Sequence, residues 1–284
     1  MQSQISRDQI ADRLLEAAEL LEAQGANRFR VLAYRNGAAA VRALGEDPAR
    51  ILEREGLEGL IELPDVGISL ARAIDEMVAT GCWVQLERMR GDAEPEHLFQ
   101  TVPGIGATTA RAIHDELHVD TLEALEIAAH DGRLEQVPGI GPRRAAAIRA
   151  SLAAMLSRRR RRGPDDHAEP PVAELLAVDA LYRDKAQAGS LRLIAPRRFN
   201  PTGEAWLPIF HTDRDGWTFT TLFSNTARAH DLGKTDDWVV IYFGRPGRIE
   251  QQRTVVTETR GPLIGRRVVR GRETECRKHY LGDG

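Results

Sequence analysis

Three stretches decide how this chain is read: LPDVGISLARAI at 63–74, VPGIGATTARAI at 102–113 and VPGIGPRRAAAI at 137–148. Each runs apolar-Pro-x-apolar-Gly and then continues with apolar residues at helical spacing. The second and third begin 35 residues apart, too alike for chance, and mark an internal repeat. In P-G-I-G the glycines permit positive φ and let another backbone approach without a Cβ in the way. The turn feeds straight into a helix, so the first unpaired N–H groups point out at the corner and meet any anion with the positive end of the helix dipole. Gly104, Ile105, Gly106, Thr108 and Thr109, and in the next copy Gly139, Ile140, Gly141, Arg143 and Arg144, are therefore the candidate DNA-backbone contacts. Pro142 suits a first helical position, where no N–H is needed. One such corner would be an ordinary helix-helix turn; matched copies point to phosphate binding. Asp65 stands where the other copies have their first glycine, which sets a carboxylate against an approaching phosphate.

Outward from the corners, residues 1–157 read as helices throughout. Ser6 and Gln9 form a capping box for a helix with Ile10, Leu14, Leu15, Ala18 and Leu21 on one face, closed by Gly25. Asn27 caps the next. After Leu156 the character changes. Arg158–Arg162 and GPDDHAEPP read as a linker, with the arginines either a solvated tether or an electrostatic clamp on DNA. Val172–Ala188 reads as one helix, and WLPIF, WTFTTLF, WVVIYF, RTVVTET and RRVVRG read as about five strands. The expected architecture is multidomain: an all-α helix-hairpin-helix N-terminal region followed by a small α+β domain. The divisions are 1–91, 92–157, the linker 158–170, and 171–284.

Charge is distributed unevenly. Residues 1–157 carry 16 Arg against 25 Asp and Glu, a net of −9; 158–170 carry +2 and 171–284 carry +4, which sum to the overall −3. A diffuse positive field cannot hold DNA on the first region, so any grip there is local. No apolar run nears the roughly 20 residues of a membrane span, and the opening MQSQISRDQI has no signal-peptide core. The expected location is the cytosol, at the nucleoid in a bacterium. Cys82 and Cys276 offer neither a disulfide framework nor zinc spacing and read as buried thiols.

The order and spacing of NRFRVLAYRNGAAAVRAL, LPDVGISLARAIDEMVATG, VPGIGATTARAIHDELHVDTLEALEIAAHDGRL and the third hairpin resemble the amino-terminal region of family X DNA polymerases, over residues 7 to about 157. The resemblance implies action on gapped or nicked DNA. It implies that Arg30, Tyr34 and Arg35 lie near a DNA end, and that main-chain carbonyls of Gln100, Val102 and Ile105 hold a monovalent cation, K⁺ or Na⁺; no other cofactor is expected. Two of the family's chemistries lack their residues. A lysine Schiff-base lyase needs an amine that can lose its proton, yet Ala73 and Ser69 occupy the matching positions, and no lysine precedes Lys185. A polymerase palm needs a Gly-Ser turn with spaced aspartates for Mg²⁺. Gly189-Ser190 is followed by LRLIAP, and Asp213-Arg214-Asp215 reads as a hairpin turn. The histidine-rich clusters of the nuclease appended in bacterial relatives are absent as well.

For the C-terminal domain two readings compete. Arg197, Arg198, Arg228, Lys234, Arg266, Arg267, Arg270 and Arg272 can meet phosphates, with tryptophans for stacking. Alternatively Asp213, Asp237 and Glu258, with Lys234 or His211, bind Mg²⁺ in a nuclease. Binding is the preferred reading, with no catalytic residue assigned. The acidic surface of residues 1–157 keeps a protein-protein scaffold as a third. The expectation is thus sequence-independent, structure-specific DNA binding in a repair or replication accessory role.

Overall fold

The computed structural model describes residues 5–92, 95–157, 168–245 and 250–282. The Arg158–Arg162 run lies outside them. Six helices come first: α1 (Arg7–Ala23), α2 (Arg28–Arg42), α3 (Pro48–Glu55), α4 (Leu57–Ile61), α5 (Ile68–Thr80) and α6 (Val84–Arg90). The capping box at Ser6 forms as read, with the Gln9 N–H donating to the serine hydroxyl and the Gln9 side chain accepting from the Ser6 N–H. Asn27 caps α2 by accepting from the Phe29 N–H. Ile10, Leu14 and Leu21 of α1 are fully buried with Ile74 and Met77 of α5 in one core. Burying side chains of that size contributes about 1.5–3 kcal/mol each.

The hairpin region follows: α7 (Pro95–Phe99), α8 (Ala107–Leu117), α9 (Leu122–His130), a 3₁₀ turn at Arg133–Gln136, and α10 (Pro142–Ser157). It has its own core, in which Phe99, Leu125, Ile148 and Leu152 are buried with the corner residues Val102, Ile105, Val137 and Ile140.

Beyond the linker, α11 (Val172–Gln187) precedes β1 (Arg192–Ile194), β2 (Leu207–Arg214), β3 (Trp217–Phe223), α12 (Ala227–Asp231), β4 (Val239–Gly244), β5 (Gln251–Thr257), β6 (Arg267–Val269) and α13 (Glu273–Leu281). The strands form one antiparallel meander in sequence order. Among the described residues there are six where the sequence suggested about five, because β1 is only three residues long and lacks an apolar run. Asp213-Arg214-Asp215 does lead into a tight hairpin. Arg214 pairs with Trp217, and Asp215 and Gly216 take φ of 48° and 75°, the two positive values a type I′ turn needs.

The two faces of this sheet differ. One carries Trp217, Phe219, Val239, Ile241, Phe243 and Val255 against α11 and the buried Cys276 of α13. The other presents His211, Thr220, Tyr242 and Gln252 to the helical region through polar contacts. Since both faces are covered, β4 is buried along nearly its whole length, which explains why WVVIYF does not alternate. Cys82 departs from expectation: it lies exposed in the loop after the left-handed Gly81. Among the described residues no helix is long and apolar enough to cross a membrane.

Candidate nucleic-acid interface

Each corner is built the same way. Proline occupies the second position of a four-residue turn and fixes its φ. The third residue takes positive φ: 89° at Gly104, 84° at Gly139 and 61° at Asp65. The turn closes when the fourth N–H donates back to the first carbonyl, Ile105 to Val102 at 3.1 Å, Ile140 to Val137 at 3.0 Å and Val66 to Leu63 at 3.2 Å. This is type II geometry, which favours glycine at the third position; aspartate is among the few other residues that tolerate it. The fourth residue then drops into the core and anchors the corner.

The glycine that follows starts the helix. Gly106 is the N-cap of α8, with φ −92° and ψ 173°, and no side chain caps the helix. Gly104, Gly106, Gly139 and Gly141 are all exposed. A Cβ added at Gly106, Gly139 or Gly141 would meet nothing within 4 Å, and one at Gly104 only the Ile148 Cγ1 at 4.0 Å. The corners thus face open space. At Gly104 and Gly139 the turn itself explains the glycine. At Gly106 and Gly141 φ lies outside the left-handed region and no neighbour crowds the Cβ, so the fold makes no demand for glycine there. Glycine is itself a favoured residue at a helix start, and it also leaves the corner open to close approach from outside.

Thr108 and Arg143 are exposed at these helix starts. Arg144, also exposed there, makes contacts that the sequence did not suggest. Its guanidinium donates to the Gly139 carbonyl at 3.1 Å, to the Gly104 carbonyl at 3.0 Å and to the Thr109 hydroxyl at 2.8 Å. It therefore clasps the two corners together. The Val102 carbonyl, one of three considered for a cation, accepts the turn hydrogen bond and keeps a second lone pair.

Of the other candidates, Arg30 and Tyr34 lie against one another and Arg35 makes a separate contact. Tyr34 is buried, its ring centroid 5.6 Å from that of Trp83 and its hydroxyl on Gln85 at 3.2 Å. Arg30 reaches the sheet, donating to the Thr220 hydroxyl at 3.4 Å. Arg35 is an exposed partner of Glu22 at 2.6 Å.

The basic residues of the C-terminal domain mostly face carboxylates. Arg198 pairs with Glu96 at 2.6 Å and Arg228 with Glu116 at 2.8 Å, both across to the hairpin region. Arg267 sits between Asp179 and Asp237; Arg270 holds Glu258, and Arg272 holds Glu275 and Glu169. Lys234 lies 3.4 Å from Asp237. Arg266 lies over the Tyr280 ring, 5.4 Å from its centroid, and the Arg197 N–H donates to the Gly91 carbonyl at 2.8 Å. Trp217 is buried and Trp238 packs on His118. Arg198 and Arg228 are thus countered by the helical region, and Lys234, Arg267, Arg270 and Arg272 by carboxylates between Glu169 and Glu275, pairings that the sequence does not place in space. The acids of the nuclease reading are also dispersed: Asp213 accepts from Asn27 at 2.9 Å, Asp237 and Glu258 pair with different arginines, and His211 lies between Thr220 and Gln24. Among the described residues no three His, Cys, Asp or Glu side chains gather as metal ligands.

Sequence reasoning missed the domain interface. Arg88, 3% exposed, donates to Glu250 at 2.8 Å and lies over the Tyr242 ring, 3.3 Å from its centroid. Tyr242 donates to Asp120, and the Asp120 N–H donates to Gln252 at 3.0 Å. His114 lies between Glu96 and Asp120, each at 3.2 Å. Burial opposes its charge, yet hydrogen bonds to Asp120 and Glu96 raise its pKa to about 9. Glu96 is likewise opposed by burial but lowered to about 2 by His114 and Arg198. His118 and His211 are pushed down to about 3, chiefly by burial and then by neighbouring positive charges, His114 foremost for the first and Arg30 for the second. The only hint in sequence was the opposed net charge of the two halves.

Two family models match the helical part: one described as a helix-hairpin-helix domain over residues 6–83, and one described as a SAM-like helix-hairpin-helix tandem over 96–154. Two curated relatives are Holliday junction branch migration complex subunit RuvA proteins. The one from Methylobacterium radiotolerans is 34% identical and the one from Methylobacterium nodulans 35%, each over 95 residues. Each alignment takes 33% of this chain and 46% of the relative, so the chain spans less than half the length of either. The helix-hairpin-helix fold is what these matches share with the family X resemblance; they carry it no further toward a polymerase.

Proposed function

We propose that the two glycine corners hold phosphate oxygens of DNA without reading bases. The observation that carries this is the pair Gly106 and Gly141, where neither φ nor packing asks for glycine. The uncapped N–H groups at the start of α8 supply donors, and the dipoles of α8 and α10 supply positive potential that the overall charge does not. With its two corners at a fixed separation, the protein grips two stretches of backbone at once, which favours duplex whose path is interrupted or bent. We take gapped or nicked duplex as the preferred ligand, in a repair or replication accessory role at the nucleoid. A K⁺ or Na⁺ at the carbonyls of Gln100, Val102 and Ile105 belongs to the same reading, since uncharged oxygens suit such an ion.

The similarity to RuvA favours a second ligand, a four-way junction, on the same corners. Fluorescence anisotropy with gapped, nicked, four-way, single-stranded and intact duplex DNA separates these. Tighter binding to an interrupted or branched form than to intact duplex is expected. Equal affinity for all five would overturn the structural preference, and no binding to any would overturn the DNA reading. Repeating the titration in K⁺, Na⁺ and a bulky organic cation tests the ion.

A further inference from the structure

The loop that joins β5 to β6 is braced from within. The Gly265 N–H donates to the Glu258 carbonyl at 2.8 Å and the Glu258 N–H to the Arg266 carbonyl at 2.9 Å, which carries the strand pairing up to the tip. The Glu258 carboxylate accepts from the Thr259 and Arg260 N–H groups at 2.8 and 3.2 Å, and Leu263 is buried in the core beneath. Gly261 and Gly265 supply positive φ of 72° and 77° at the two bends. Between them Ile264 stands 66% exposed. A branched apolar side chain is thus presented to water on a rigid tip that does not use it for packing.

The surroundings are cationic. Residues 258–282 hold seven Arg and Lys against three Glu, a net of +4. The three carboxylates are occupied, Glu258 and Glu273 by Arg270 and Glu275 by Arg272. Arg260, Arg266 and Arg277 are exposed and, among the described residues, meet no carboxylate at ion-pair distance. Arg260 and Arg266 flank the tip. Arg266 lies over the Tyr280 ring, and Arg277, three residues before Tyr280 on α13, shares its helix face. Asp236, in the turn before β4, is an exposed carboxylate at the same end of the sheet and offsets one of these charges at most.

We propose that this loop is a second DNA-contact surface, on which Arg260, Arg266 and Arg277 meet phosphates of intact duplex while Ile264 enters the minor groove as a wedge between base pairs. An apolar side chain with arginines beside it is the combination that kinking from the minor groove requires. The side chain fills the step it unstacks, and the guanidinium groups hold the backbone of the bent duplex. A lipid surface fits less well, because one isoleucine is little apolar area for a bilayer. The surface is separate from the glycine corners and does not depend on their binding phosphate.

The test uses the full chain and an intact duplex of about 20 base pairs with a fluorophore at each end. Anisotropy over a salt series reads affinity, and energy transfer reads the bend. A bend of about 20–90° is expected at saturation. Ile264→Ser should remove it and weaken binding by about tenfold. Replacing Arg260, Arg266 and Arg277 together by Gln should lower the slope of log K against log salt by about 2.7, or about 0.9 for each phosphate lost. The Gly106→Ala, Gly141→Ala double variant should still bend the duplex at saturation, so failure of the corners and failure of the loop are told apart. Circular dichroism identifies a variant that fails to fold; Arg260→Gln with Arg277→Gln, which spares the contact of Arg266 with Tyr280, then carries the charge test with a fall of about 1.8. A duplex that stays straight, or a salt slope indifferent to the arginines, overturns the proposal. Binding to vesicles of anionic phospholipid that is lost in Ile264→Ser, with duplex affinity unchanged, also overturns it and assigns the surface to a membrane.

Discussion

Arg144 donates to the main-chain carbonyl of Gly104, 40 residues away, at 3.0 Å, while also holding the Gly139 carbonyl of its own corner. One planar guanidinium thus fixes the separation of the two glycine corners. Its several donors in a rigid fork make this possible, and a lysine ammonium on a flexible stem cannot reproduce it. Arg144→Ala and Arg144→Lys should both lower stability modestly, by about 1 kcal/mol, and loosen the corners. Their effect on DNA affinity should exceed the loss from Arg143→Ala, a nearby arginine not involved in the clasp. Equal losses for the two positions would reduce Arg144 to an ordinary phosphate contact.

The glycines divide into two kinds that mutation should separate. Alanine at Gly104 or Gly139 forces a side chain into the left-handed region and should cost about 1–2 kcal/mol of stability. Alanine at Gly106 or Gly141 has room and acceptable φ and forfeits only the preference of a helix start for glycine over alanine, so stability should fall by no more than about 1 kcal/mol, while affinity for interrupted duplex falls. Unchanged affinity in a Gly106→Ala, Gly141→Ala double variant would remove the main support for phosphate capture there.

Glu250→Gln should leave the Arg88 charge buried without its counter-charge. Breaking such a pair from one side is far worse than never having it, and a loss of about 2–3 kcal/mol is expected, given that Glu250 is itself partly exposed. Because the pair spans the interface, the C-terminal domain should loosen first. Hydrogen exchange would show it as lost protection at β4 and α6 together; loss confined to one of them would place the pair's role within a single domain.

Acidity and alkalinity should act through different histidines. His114, raised to about 9, contributes stability that is complete below its unfolded value near 6.5 and disappears as pH climbs through 9. His118 and His211 work in the opposite sense. Their folded values near 3 mean that the unfolded chain binds more protons between 3 and 6.5, so their contribution is lost as pH drops below 6.5. Glu96, lowered to about 2, adds a further loss as pH falls below about 4.5. His114→Gln should flatten the stability profile between 6.5 and 9 and also weaken the acid limb, because Glu96 and His118 owe part of their shifts to His114. An NMR titration placing His114 at or below 6.5 would contradict the alkaline arm.

The five arginines at 158–162 can be judged by salt alone. As phosphate contacts they would make log K fall by about 4.5 per log unit of salt, since each neutralised phosphate releases counterions. Deleting them should flatten that slope by a similar amount. A slope that does not change identifies a solvated tether.

Much of this molecule is local, and local order is legible in a sequence. The corners announced themselves because a type II turn, an anchoring apolar residue and a helix start are each dictated by neighbours in the chain, and because repetition made accident implausible. The capping box at Ser6, the Asn27 cap and the Asp215-Gly216 hairpin followed for the same reason. Long-range pairing was not legible. Arginine looks the same in a sequence whether it will meet a phosphate or a carboxylate. Only the folded chain brings Arg198 to Glu96, Arg228 to Glu116 and Arg88 to Glu250, and only there does the clasp of Arg144 appear. The sequence by itself determined the helical hairpins and their open glycine corners, through backbone geometry and side-chain periodicity. Tertiary structure decided which charges remain free for a ligand, because counter-charges are set by distance in space and not by distance along the chain.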